Sequence, residues 1–102
     1  MPSMKLIMSW DINPGKESEY FEFVVREFAP GIMRLGVQPT EAWYTVYGDR
    51  PQILTSALVA DAPTAKRILS SRDWKDLHEK LMSYVHNFEQ KLVPASGKPL
   101  QL

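Results

Sequence analysis

The stretch KLIMSWDINPGKESEYFEFVVREF (Lys5–Phe28) decides the fold. Leu6, Met8, Trp10 and Ile12 recur at period two, which places them on one face of a strand. Lys5, Ile7, Ser9 and Asp11 form the other face, which is mixed rather than polar. Such a strand belongs in a sheet covered on both sides. Asn13-Pro14-Gly15 ends it. The spacing predicts Asn13 as a helix cap and Pro14 at the first helical position, where its missing N–H costs nothing. Tyr20, Phe21, Val24, Val25 and Phe28 then recur at helical spacing, with charged residues between them. Glu17 and Glu19 suit the positive end of the helix dipole. Pro30 predicts a kink, and Gly36 a left-handed helix end.

Outward from there, Thr40–Tyr47 (TEAWYTVY) and Gln52–Ala60 (QILTSALVA) read as strands joined by a Gly48–Pro51 turn. Asp61-Ala62-Pro63 opens a short helix to Leu69, and Ser70 or Ser71 caps another. Trp74, Leu77 and Leu81 line one face of that helix. Tyr84–Val93 alternates as a fourth strand, with Tyr84, His86 and Phe88 on one side and the more polar set, including Glu89 and Lys91, on the other. The order β-α-β-β-α-β is the ferredoxin-like α+β arrangement, an antiparallel sheet with both helices on one face. The domain is expected over residues 1–93, with 94–102 as a tail. The uncovered sheet face would retain Ile7 and aromatic residues, a patch that predicts a face-to-face homodimer.

The chain has 102 residues, enough for one domain with a core of its own. Lysine plus arginine equals aspartate plus glutamate, 12 against 12, which argues against nucleic acid and a polybasic membrane contact. Cysteine is absent, which removes disulfides, thiolate catalysis and cysteine-based metal sites. No run is apolar and long enough to span a bilayer, and the N-terminus lacks a signal-peptide layout, so the expectation is cytoplasmic.

Three segments carry a resemblance: N-P-G-K-E-x-E-Y-F-x-F (Asn13–Phe23), T-E-A-W-Y-T-V-Y-G (Thr40–Gly48) and S-S-R-D-W-K-D-L-H (Ser70–His78). With them the chain resembles the dimeric α+β barrel superfamily over nearly its whole length, most closely the NIPSNAP-type branch. The EthD-type, antibiotic-biosynthesis-monooxygenase and stress-responsive barrel branches are near alternatives. The resemblance implies a homodimer whose sheets enclose an apolar cavity in each subunit. Members include cofactor-free oxygenases, haem-degrading enzymes, decarboxylases, isomerases and proteins of unknown activity. The chain departs from the NIPSNAP pattern where that branch's first-strand arginine falls near Met8, and where a third-strand pair falls near Ser56 and Leu58.

His78 and His86 are the only histidines. Their spacing is not that of a helix pair and no carboxylate motif accompanies them, so no metal site is assigned. His86 is the candidate catalytic group, a proton shuttle or an axial haem ligand if it points into a cavity. A histidine bonded to a neighbour is the competing reading. Trp10, Trp43, Tyr44, Tyr47, Trp74, His78 and Phe88 are the candidate ligand-binding set, because aromatic walls with a polar handle suit a flat apolar ligand. Ordinary core packing is the alternative for each. Asp11 is a carboxylate within the first strand, and Arg34 a cation at a helix end. No nucleophile elbow, phosphate loop or H-E-x-x-H motif occurs. Two functions remain open: a small-molecule enzyme of the cofactor-free oxygenase, isomerase or decarboxylase type, and a binding or structural homodimer without catalysis. No cofactor is expected, with haem as the alternative if His86 serves as an axial ligand.

Overall fold

The computed structural model describes residues 3–45 and 52–95. The elements are β1 (Met4–Ile12), α1 (Glu17–Phe23), a π-helical turn (Val24–Phe28), α2 (Ala29–Leu35), β2 (Gln38–Tyr44), β3 (Ile53–Val59), α3 (Ala62–Leu69), α4 (Arg72–Leu81) and β4 (Val85–Pro94). The four strands form one antiparallel sheet in the order β2-β3-β1-β4, which is the ferredoxin-like α+β topology the element order predicts. Among the described residues no helix is long and apolar enough to cross a membrane.

The period-two pattern of β1 decides which face meets the helices. Leu6, Met8, Trp10 and Ile12 are buried beneath them, together with Ile53, Ala57 and Val59 of β3. Tyr20, Phe23, Phe28 and Ile32 from the first helical layer and Trp74 and Leu81 from α4 complete this core. Gly31 permits the close approach of α2 to α4, since a Cβ there would lie 2.7 Å from Leu77 Cδ1.

The helix starts and stops follow local chemistry with one exception. Asp61 Oδ1 accepts from Thr64 N–H at 2.8 Å and Ser71 Oγ from Trp74 N–H at 3.2 Å, both as N-caps. Gly36 ends α2 at φ 105°. The exception is Asn13. The chain makes a turn through Gly15 (φ 82°), α1 begins at Glu17, and its cap residue Lys16 makes no side-chain capping bond. Asn13 instead uses its side-chain oxygen on His86. The expected kink also falls earlier than Pro30. Ala29 N–H reaches back five residues to Val24 O, so the helix widens over the turn before the proline.

Two irregularities in the sheet matter for function. β4 carries a bulge opposite Ser9–Asp11, with Asn87 at φ 56°. It breaks the expected alternation. Phe88 stays on the helix face with Gln90 and Leu92 and stacks on Trp10, while His86 is turned out to stand opposite Asp11 on the open face. β2 is an edge strand exposed along its whole length, displaced at a second irregularity between Pro39 and Glu41. No helix closes over it. The expected strand end at Tyr47 and the Gly48–Pro51 turn lie outside the described residues, as does most of the tail; β4 runs on to Pro94, and Ala95 N–H still bonds Ser3 O at 2.9 Å.

Candidate functional site

The bare edge of β2 opens a cavity of about 470 Å³ between the sheet and the first helical layer. Met8, Trp10, Ile53 and Ala57 form its floor. Tyr20, Val24, Phe28 and Ile32 form the opposite wall, so the π-helical turn supplies two of the wall residues. Thr40, Ala42, Trp43 and Tyr44 of β2 form the rim. The wall is mostly apolar, and among the described residues the titratable side chains lining it are Tyr20, Tyr44 and Glu41. Glu41 is exposed at the rim. The volume suits a ligand of a few fused or linked rings.

Thr40 and Thr55 satisfy their hydroxyls on the backbone of Ser56 and Met8, and a fully buried polar contact joins two side chains of the wall. Trp10 Nε1–H donates to the Tyr20 hydroxyl at 2.9 Å. Both residues are buried. Trp10 is fixed in orientation: its ring stacks on Phe88 at 5.9 Å with an interplanar angle of 9°, and Phe28 meets it edge-on at 6.1 Å. Burial pushes the Tyr20 hydroxyl above the usual phenol range, opposed by the Trp10 hydrogen bond.

The candidate residues therefore separate into groups. Trp10, Trp43 and Tyr44 contribute to the cavity. Trp43 stands in register with Leu54 and so also borders the open sheet face. Trp74, His78 and Phe88 lie behind Trp10 instead, as an aromatic column with centroid separations of 6.3 Å and 4.6 Å. They buttress the floor without lining it. Tyr47 lies outside the described residues.

His86 is on the other side of the sheet from the cavity. Its Nδ1 lies 2.7 Å from Asn13 Oδ1, and its Nε2 is 4.0 Å from Asp11 Oδ2. Asp11 is the hub of this second cluster. It accepts from Asn87 Nδ2 at 3.0 Å and from Gln52 N–H at 2.8 Å. These bonds, the Asn87 side chain first, hold its carboxyl below the usual range, with a further contribution from His86. The Gln52 side chain closes the end of the sheet by accepting from Ile12 N–H at 2.8 Å and donating to Tyr44 Oη at 3.3 Å. The cluster is a structural clasp joining β1, β3 and β4. A haem held by His86 does not fit the cavity, because the imidazole is on the far face and no histidine is among the lining residues.

No protein-family model and no curated protein matches the sequence. Solved structures share its fold. A NIPSNAP family protein from Agrobacterium tumefaciens superposes with a TM-score of 0.69 at 15% identity, over 94% of this chain and 88% of that one. The fold is that of the NIPSNAP-type proteins. A point variant of SnoaB, a cofactor-independent oxygenase from Streptomyces nogalater, gives a TM-score of 0.71 at 15% identity over 98% of each chain. A dimeric protein of unknown function with a ferredoxin-like fold, from Bacteroides fragilis, gives 0.62 at 11% identity, over 91% of this chain and 96% of that one. These identities establish shared architecture; activity has to be argued from the cavity.

Tyr20 is the cavity residue that pattern reading missed. It belongs to the apolar stripe of α1 and looks like core. The available signal was chemical: Trp10 and Tyr20 are both buried positions with a polar atom, and each needs a partner.

Proposed function

We propose that the protein is a homodimeric barrel that binds a flat, largely apolar small molecule in each subunit. The observation that carries this is the 470 Å³ cavity with aromatic walls and the buried Trp10–Tyr20 polar pair. Ligand sites are commonly concave, mostly apolar and provided with few polar groups. The dimer follows from the open sheet face. Ile7 stands opposite Ser56, and Ser9 opposite Leu54, so apolar and small side chains alternate there. Trp43, Leu54 and Leu58 are 48%, 38% and 36% exposed on a face that no helix covers. A second copy packing sheet to sheet would bury them. The Bacteroides fragilis protein of the same fold is dimeric, which supports a dimer here.

The cofactor-independent oxygenase SnoaB makes cofactor-free chemistry on an aromatic ligand a second reading. The cavity favours binding over catalysis, because among the described residues the one carboxylate that lines it, Glu41, is at the solvent-facing rim and no imidazole lines it. Binding is tested with N-phenyl-naphthylamine, an uncharged probe that fluoresces in apolar surroundings. One probe per subunit should bind the native protein. Ala42→Phe, which fills the cavity from the exposed strand, should abolish binding while the circular dichroism spectrum is kept. Probe binding unaffected by Ala42→Phe would reject the cavity as the site.

A further inference from the structure

The ligand class of this cavity can be taken further, on the assumption that the cavity is the binding site. A tyrosine hydroxyl has one hydrogen to donate and two lone pairs. At Tyr20 one lone pair is used by Trp10 Nε1–H. The indole can only donate, and its ring is clamped by Phe88 and Phe28, so the direction of this bond cannot reverse. The Tyr20 hydrogen is therefore left over. Among the described residues it has no acceptor, although Tyr20 is only 3% exposed and lines the cavity. A buried donor facing apolar space without a partner is costly. A donor that itself accepts a hydrogen bond is also polarised to donate more strongly.

We infer that Tyr20 determines the specificity of the cavity, and that its ligand is an uncharged aromatic carbonyl compound whose oxygen accepts the Tyr20 O–H. Burial keeps the phenol protonated, so it remains a donor through the physiological range. Among the described residues no lysine or arginine lines the cavity, and the one carboxylate is Glu41 at the rim. An aromatic carboxylate would thus enter without a counter-charge and against a like charge, which is unfavourable. A pure hydrocarbon would fill the space but leave the donor empty.

Fluorene, fluorenone and fluorene carboxylate share one flat skeleton and separate these cases. By titration calorimetry on the full chain, fluorenone should bind about tenfold more tightly than fluorene, the margin of one neutral hydrogen bond. The carboxylate should bind more weakly than either. Tyr20→Phe should bring fluorenone down to the affinity of fluorene and leave fluorene unchanged. The infrared carbonyl stretch of bound fluorenone supplies a readout on the unaltered protein, should the variant fail to fold. It should lie below its value in alkane solvent. Equal affinities for fluorene and fluorenone, or an unshifted carbonyl stretch, would overturn the inference and leave the cavity as an apolar site. Failure of both neutral compounds to bind would overturn the binding role and the inference together.

Discussion

Replacing Tyr20 by phenylalanine removes one oxygen from the core and no carbon. Its effect on stability isolates the worth of the buried pair. Trp10 is 2% exposed, and its Nε1–H has the Tyr20 hydroxyl as its acceptor at 2.9 Å. Without that oxygen, a buried donor loses its partner, a loss of about 1–3 kcal/mol. The cavity borders Trp10 as well as Tyr20, so entering water can recover part of this. The expected destabilisation is therefore about 1–2 kcal/mol, with a fall in melting temperature of about 4–8 °C per kcal/mol for a domain of this size. Urea unfolding at fixed protomer concentration measures it, since a dimer's apparent stability depends on concentration. Trp10→Phe should cost more, because it also vacates volume stacked against Phe88. The decisive arm is the double variant. Once the indole is gone no donor is stranded, so Tyr20→Phe in the Trp10→Phe background should cost under about 0.5 kcal/mol. Additive losses would show that the pair is not coupled, and the reasoning would fail. The raised Tyr20 pKa adds a check of sign. The native state holds this proton more tightly than the unfolded chain, whose phenol titrates near 10.0. Stability should be unaffected by Tyr20 below that pH and fall as pH rises above it. Tyr20→Phe should remove that part of the alkaline slope.

Other expectations concern the sheet's two ends and its open face. Leu54→Glu puts a charge at the middle of the uncovered face opposite Ser9. It should convert the proposed dimer to monomer in sedimentation velocity without loss of helical signal; a persistent dimer would place the interface elsewhere. Asp11 has a lowered pKa, from the Asn87 side chain first and then Gln52 N–H. Its stabilisation is complete above the unfolded value near 3.8 and is lost as pH falls through the lower native value. Asp11→Ala should therefore lower stability at neutral pH and flatten acid unfolding in the pH range below about 4, with a slope identical to the native protein's counting against the clasp. Gly36→Ala forces a side chain to φ 105° and should cost about 1–2 kcal/mol, read as a lower urea midpoint at unchanged slope.

What the sequence reveals and what it conceals divides by range. The faces of β1, the Asp61 and Ser71 caps and the Gly36 stop are each set by residues within a few positions, and they follow from pattern alone. Together with the strand order they give the ferredoxin-like fold. Asn13 misleads because a histidine distant in sequence competes for its oxygen. The cavity is concealed for a similar reason. Nothing in Thr40–Tyr44 says that no helix will cover this strand; that depends on where α2 sits, which Gly31 and Leu77 govern from the opposite side.

The β4 bulge is the sharpest case, because one residue's backbone decides which face the candidate catalytic histidine occupies. Strict alternation puts His86 beside Phe88, and therefore near Trp10. Phe88 keeps the helix face in phase with Gln90 and Leu92, and the extra residue at Asn87 turns His86 out to the Asp11 side. Two causes favour the bulge. Asparagine tolerates positive φ better than other residues with a side chain, apart from glycine. Its amide also reaches Asp11 Oδ2 at 3.0 Å, so the distortion is held by a hydrogen bond to a charged group. The two causes are separable. Asn87→Gly keeps the backbone freedom and loses the bond, so it should cost about 1 kcal/mol and leave the Trp10 environment as it is. Asn87→Val loses both and puts a β-branched residue at φ 56°, so it should cost about 2–3 kcal/mol. If the valine variant relieves strain by returning to regular alternation, His86 must leave Asp11 and turn to the helix face beside Phe88, and tryptophan near-ultraviolet dichroism will change. A valine variant as stable as the native protein, with that spectrum intact, would mean that the bulge is fixed by the contacts of His86 with Asn13 and Asp11 rather than by Asn87.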